Sequence, residues 1–177
     1  MKFHETPCAG SYLIELEPFA DDRGFFARAF CAREFSERGL VSAFLQVNNS
    51  FSARRGTLRG MHFQLPPRAE TKMVRCVRGA LWDCLLDLRT DSPTRGRWYG
   101  TELSAENRKM LYVPKGFAHG FITLCDDTEM LYFVDEVYDP GLERGVRWDD
   151  AAFGIEWPIA PTVISEKDRR IPDYQAP

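Results

Sequence analysis

Lys72-Met73-Val74-Arg75-Cys76-Val77 and Leu81-Trp82-Asp83-Cys84-Leu85-Leu86-Asp87-Leu88 decide the fold class. Both runs are short, apolar and bounded by turn residues, so each reads as a strand, with Gly79 between them as a hairpin turn. The pattern repeats in both directions. Upstream, Tyr12 to Leu16 alternates, Phe25 to Phe30 follows the turn Asp21-Asp22-Arg23-Gly24, and Thr57 to Gln64 forms another run. Downstream come Met110 to Val113, Gly120 to Leu124 and Glu129 to Val134, with loops at Ser92-Pro93 and Pro114-Lys115-Gly116. One helix is expected, over Ala32 to Arg38, with Glu34 and Glu37 near its ends and Gly39 as terminator. Many short strands and few helices predict an all-β sandwich or barrel, with a jelly roll as the leading form.

At 177 residues the chain suits one domain, 1–177, large enough to bury a proper core. No repeat, low-complexity tract or linker divides it. The segment from Tyr138 onward, richer in Pro, Asp and Trp, is expected to wrap over the barrel. Hydrophobic residues at 44% and charged residues at 28% are those of an ordinary soluble globular protein. A net charge of −3 argues against nucleic acid as a partner but allows a local basic pocket for a small anion. No apolar run approaches the roughly 18 residues that cross a bilayer, and Met1-Lys2-Phe3-His4-Glu5 is not a secretory signal, so no membrane partner is expected. Five scattered cysteines, without a Cys-x-x-Cys pair, point to reduced thiols in a cytoplasm.

Three neighbourhoods place polar groups on strand-like segments. In Arg59-Gly60-Met61-His62-Phe63-Gln64, strand alternation puts Gly60, His62 and Gln64 on one face and Arg59, Met61 and Phe63 on the other. A histidine there is either a general base, its ordinary pKa lying near neutrality, or a core histidine bonded to backbone. Pro114-Lys115-Gly116-Phe117-Ala118-His119 has the Pro-x-Gly-x-x-His spacing of one half of the cupin signature, and Gly56 with His62 resembles the other half. Metal-binding cupins carry His-x-His in the first half. Here it reads His62-Phe63-Gln64, which leaves two imidazoles and Glu70, a poor set for a metal. The third neighbourhood is Lys72, Tyr132 and Ser165-Glu166-Lys167-Asp168. Taken singly these read as a snorkelling lysine, a half-buried aromatic and a solvated tail carboxylate. Together with His62 they supply a base, an acid, a cation and an orienting carboxylate.

These motifs, in this order, resemble the dTDP-4-dehydrorhamnose 3,5-epimerase family of sugar-nucleotide epimerases. The likeness runs from Asp21-Asp22-Arg23-Gly24-Phe25-Phe26 and Gln46-Val47-Asn48-Asn49-Ser50 through the segments above to Trp157-Pro158 and Ser165-Glu166-Lys167-Asp168. The resemblance implies a cupin-type jelly-roll barrel with a few short peripheral helices, a homodimer, no cofactor and a nucleotide-diphosphate sugar as substrate. It makes His62 the catalytic base, Asp168 its paired carboxylate, Tyr132 the proton donor and Lys72 the cation near the keto oxygen. Arg23, Phe26, Gln46, Asn48, Arg59, His119, Glu143 and Lys167 match substrate-binding positions, and Tyr138 an aromatic near the nucleotide base. One position departs from the pattern. Where the family has a glutamate two residues after Phe26, this chain has Arg28, either compensated within the same pocket or marking another nucleotide or sugar. The competing readings are a single-carbon epimerase or ketoisomerase, a non-catalytic sugar-nucleotide-binding cupin and a metal-dependent cupin oxygenase.

Overall fold

The computed structural model describes residues 1–175; the last two positions of the 1–177 domain, Ala176 and Pro177, lie outside the described residues. Two sheets face each other. The first is ordered β1 (Lys2–Glu5), β2 (Tyr12–Glu15), β10 (Met110–Val113), β7 (Lys72–Arg78), β12 (Thr128–Val134) and β5 (Gln46–Ser52). The second is ordered β13 (Glu143–Gly145), β6 (Thr57–Gln64), β11 (Phe117–Thr123), β8 (Ala80–Asp87) and β9 (Trp98–Ser104), with β14 (Val163–Ile164) added parallel to β6. A separate hairpin joins β3 (Phe19–Asp21) to β4 (Gly24–Phe26), and the helices are short: α1 (Ala32–Ser36) and α2 (Glu166–Arg169). From β6 to β8, and again from β10 to β12, the chain passes from one sheet to the other at each step, a jelly-roll path.

That path corrects the reading of Gly79. The runs on either side of it do not pair: β7 bonds to β10 and β12, whereas β8 bonds to β11 and β9. Gly79 is a corner between sheets. Its φ is +72°, and a Cβ there would stand 2.8 Å from Thr128 Oγ1 and 2.9 Å from Cys125 Sγ. A tight hairpin and a tight corner demand the same residue, so the sequence signal is shared. Other bounds move as well: the strand expected over Gly120 to Leu124 is Phe117–Thr123, and that over Leu81 to Leu88 is Ala80–Asp87. The aromatic run after Gly24 is strand only to Phe26, and the helix stops at Ser36, where Arg38 N–H and Gly39 N–H turn back to Phe35 and Ser36 carbonyls.

Alternation along the strands sorts the apolar side chains into three groups. Between the sheets lie Val74, Cys76, Leu81, Leu85, Leu103, Leu111, Val113, Phe117, Phe121 and Met130. Outside the first sheet, Phe35 of α1 covers Ile14, Met73 and Met110. Outside the second, Phe153, Ile155, Trp157 and Tyr174 of the C-terminal segment cover Met61, Cys84 and Leu86, so the segment wraps over the barrel as its composition suggests.

Candidate active site

At one end of the space between the sheets, interior positions turn from apolar to polar. Lys72 continues the face of Val74 and Cys76, Tyr132 continues that of Met130, and His119 stands between Phe117 and Phe121. With Arg59, His62, Lys167 and Asp168 they bound a cavity of about 530 Å³. A larger hollow, about 1110 Å³ and lined by Phe63, Pro66, Leu88 and Tyr174 among others, holds none of the four expected catalytic side chains.

Arg59 and His62 share this cavity, although simple alternation assigns them to opposite faces. The cause is a bulge in β6. His62 pairs with His119 and Arg59 with Phe121, so three steps along β6 match two along β11. Gly60 sits in the bulge with φ +125°, and a Cβ there would lie 2.5 Å from Gly120 Cα, so the strands approach through paired glycines. Met61 turns outward into the cluster beneath the C-terminal segment.

His62 Nε2 lies 2.7 Å from Asp168 Oδ1. Asp168 is no solvated tail carboxylate: it is 3% exposed, on α2, whose first turn is capped by Ser165 accepting from Asp168 N–H at 3.1 Å. Burial pushes the Asp168 carboxyl up, but the His62 hydrogen bond and charge, with help from the Gly60 amide and Ser165, outweigh it and hold it below the usual carboxylate range. Lys72 is no surface lysine either. It is 8% exposed, 3.1 Å from Glu70 Oε1, and donates to the His62 carbonyl at 3.4 Å. Glu70, which the sequence offered only as a spare metal ligand, is the countercharge of Lys72. Burial, and then the negative charge of Glu70, raise the Tyr132 hydroxyl above its ordinary value, so the phenol keeps its proton.

Glu143, Tyr138, Gln46 and Asn48 do not line the cavity themselves; Glu143 and Tyr138 are tied to it through Lys167, which does. Glu143 accepts from Lys167 Nζ at 2.6 Å and from Tyr138 Oη at 2.7 Å. Burial raises the Glu143 carboxyl, but these bonds outweigh it and hold it low, while the bond to Glu143 raises the Tyr138 hydroxyl. Gln46 Oε1 accepts from Tyr138 N–H at 3.1 Å, Asn48 is the cross-strand partner of Tyr132, and Arg59 donates to the Phe51 carbonyl at 3.2 Å. Arg23, Phe26 and Arg28 do not line the cavity. Arg23 is exposed and paired with Asp21, Phe26 is 73% exposed, and Arg28 lies 3.7 Å from Glu34.

Gln64, which replaces a histidine of metal-binding cupins, is spent on the fold: Nε2 donates to the Arg68 carbonyl and Oε1 accepts from Asp139 N–H. Among the described residues, no three His, Cys, Asp or Glu side chains gather to hold a metal. The sequence reading missed Asp83, fully buried 2.8 Å from His119. Its signal was an aspartate on the same strand face as Leu81 and Leu85.

The family described as dTDP-4-dehydrorhamnose 3,5-epimerase matches residues 5–176. A relative of that name from Sinorhizobium fredii is 47% identical over 97% of this chain and 89% of its own. A crystal structure of that enzyme from Elizabethkingia anophelis superposes with a TM-score of 0.95 at 41% identity, covering 98% of this chain and 96% of the other. Another, from Bacillus anthracis with TDP and PPi bound, superposes with a TM-score of 0.93 at 44% identity over 98% and 99%. The bulged strand, the imidazole–carboxylate pair and the facing phenol thus sit on a backbone shared along nearly its whole length, and the chain belongs to the dTDP-4-dehydrorhamnose 3,5-epimerase family.

Proposed function

We propose that the cavity takes a nucleotide-linked 4-keto-6-deoxy sugar, of the dTDP-4-dehydro-6-deoxyglucose type, and inverts carbon 3, carbon 5 or both through an enolate. The enzyme is an isomerase. Hydrogens on the carbons flanking the ketone are acidic because the electron pair left behind spreads onto the ketone oxygen. Inversion requires removal of the proton from one face and delivery to the other. The observation that carries the reading is that His62 and Tyr132 line one cavity from facing sheets, β6 in one and β12 in the other. His62 takes the proton, with Asp168 fixing the ring and favouring the imidazolium that forms. Lys72 meets the charge on the enolate oxygen, and Tyr132 returns a proton to the carbon. The step leaves His62 protonated and Tyr132 ionised, and exchange with solvent resets both. Arg59 and Lys167 suit the diphosphate, Arg59 through its fork of donors.

Arg23, Phe26 and Arg28 enter this scheme through a homodimer. What supports it is surface: Phe19 and Phe26 of the β3–β4 hairpin, and Val47 and Phe51 of the edge strand β5, stand exposed, and a second copy would cover them. Free thiols at Cys8, Cys31, Cys76, Cys84 and Cys125 support a reducing cytoplasm. No helix among the described residues is long and apolar enough to cross a membrane.

The test is incubation with dTDP-4-keto-6-deoxyglucose in deuterium oxide, followed by NMR. Deuterium at carbons 3 and 5 supports the double epimerase and deuterium at carbon 3 alone a monoepimerase. Binding without exchange overturns catalysis on this sugar and favours a binding protein or, through Arg28, another nucleotide.

A further inference from the structure

Lys72 carries its charge on a flexible four-carbon stem, which does not by itself hold that charge at one point. To meet charge at a defined atom, the ammonium must be fixed by its neighbours. It has three N–H donors and no acceptor. Glu70 Oε1 takes one donor at 3.1 Å, and the His62 carbonyl takes another at 3.4 Å. One donor is left, and Lys72 lines the cavity that also holds His62, His119 and Tyr132. The contact with the His62 carbonyl ties the cation to the strand that carries the base. The contact with Glu70 is the shorter of the two and is made to a charge.

Glu70 is held in its turn. It stands in the connection between β6 and β7, two residues before Lys72, with its side chain 11% exposed. Its other oxygen, Oε2, accepts from Gln64 Nε2 at 3.4 Å. Gln64 is buried and anchored at both ends, Oε1 accepting from Asp139 N–H at 2.6 Å and Nε2 donating to the Arg68 carbonyl at 3.0 Å. Between Glu70 and Lys72, Thr71 N–H donates to Asp135 Oδ1 at 2.7 Å, and the Thr71 carbonyl accepts from Asp135 N–H at 3.4 Å. Glu70 does not line the cavity. A carboxylate so placed reaches the reacting sugar only through its neighbours.

We propose that Glu70 is a positioning residue: with the His62 carbonyl it holds the Lys72 ammonium so that the remaining N–H meets the enolate oxygen, and Gln64 holds Glu70. The enolate in this statement rests on the epimerase reading above. A donor already in place loses nothing to reorganisation as charge develops, whereas a lysine free to turn must be fixed at every turnover.

Glu70→Ala, which removes the hold, should lower kcat about 10- to 100-fold per folded molecule, with a smaller change in KM. Glu70→Gln keeps one oxygen as acceptor and should lose less. The deciding comparison is with Lys72→Met, on dTDP-4-keto-6-deoxyglucose in deuterium oxide. In that background Glu70→Ala should slow deuterium entry no further, because the two residues act as a unit. A loss as large with Lys72→Met as without it overturns the proposal; Glu70 would then act through the fold at large or through the Tyr132 hydroxyl, which its charge also reaches. Glu70→Ala with wild-type kcat overturns it too, as does a variant whose only defect is a lower thermal midpoint. Should Glu70→Ala fail to fold, Glu70→Gln takes its place in each comparison. A last measurement needs no substrate. In nitrogen-15 spectra of the lysine side chains, wild type should show a slowly exchanging ammonium that is absent from Lys72→Met and lost in Glu70→Ala. A signal that survives in Glu70→Ala overturns the hold. Wild-type protein that exchanges no deuterium sinks the epimerase reading instead, and leaves the ammonium spectrum to decide whether Glu70 fixes Lys72.

Discussion

His62 and Asp168 are 106 residues apart in the chain and 2.7 Å apart in space. The contact depends on β14 running parallel beside β6 and delivering the chain to Ser165, whose hydroxyl caps α2 and fixes Asp168 one turn later. In the proposed mechanism the tail is thus part of the catalytic apparatus. His62→Ala should lower kcat by about 10²- to 10⁴-fold, the usual worth of a positioned general base, and abolish deuterium exchange. Asp168→Asn retains an acceptor for the ring but removes its charge, so it should lower kcat more than it raises KM. Steady-state kinetics of both variants check this, and unchanged exchange in His62→Ala would remove His62 as the base.

The same carboxylate links the site to acid stability. Its folded value lies below its ordinary one, so it stabilises the fold fully at pH above the unfolded value, about 4 for an aspartate, and that contribution is lost as pH falls through the lower folded value. The urea midpoint of wild type should therefore exceed that of Asp168→Asn at pH 7, with the gap closing as the pH is taken below about 4. Urea titrations of both proteins at pH 7 and pH 3 test it; a gap that widens in acid contradicts the assignment.

Tyr132 makes a separate prediction because it faces His62 from the other sheet. Removing only its hydroxyl leaves the base and the cation in place. Tyr132→Phe should still form the enolate and still take deuterium from solvent, but with the original configuration retained, since the proton returns from the side it left. NMR of the sugar after incubation in deuterium oxide separates the two events. Inverted product at the wild-type rate would assign the acid elsewhere.

What was legible in the sequence is what local chemistry controls. Thr57–Gln64 and Met110–Val113 are strands with the bounds their residue pattern predicts, because each is cut off by turn residues, Gly56 before the first and Pro114 after the second. The side on which Lys72, Tyr132 and Asp168 fall was not legible. Alone they read as a snorkelling lysine, a half-buried aromatic and a solvated carboxylate, and only the pairing of β7, β12 and β14 with distant strands brings them to one cavity. Gly79 misled because corner and hairpin share a backbone requirement. Asp83 escaped because an aspartate in an apolar strand looks like its solvent side until the neighbouring strands are known.

The bulge in β6 carries the last prediction. Alternation would separate Arg59 from His62, and one extra residue against β11 brings both to the cavity. That residue fits only because two backbones meet without side chains. A Cβ on Gly60 would come within 2.5 Å of Gly120 Cα and 2.9 Å of the His119 carbonyl oxygen, at a φ that L-residues rarely adopt. A Cβ on Gly120 would stand 2.7 Å from Met61 Sδ and 2.8 Å from the Arg59 carbonyl oxygen, without the conformational penalty. Gly60→Ala should therefore be the worse of the two, costing about 3 kcal/mol or more from strain and overpacking together, and Gly120→Ala less, because it carries the overpacking against Met61 and the Arg59 carbonyl without the conformational strain. Chemical denaturation of both variants measures the difference. The more telling measurement is turnover by whatever fraction of Gly60→Ala remains folded. If the bulge exists to place Arg59 and His62 on one face, that fraction should bind the nucleotide sugar weakly and turn it over slowly. Full activity per folded molecule would show that the cavity tolerates ordinary alternation.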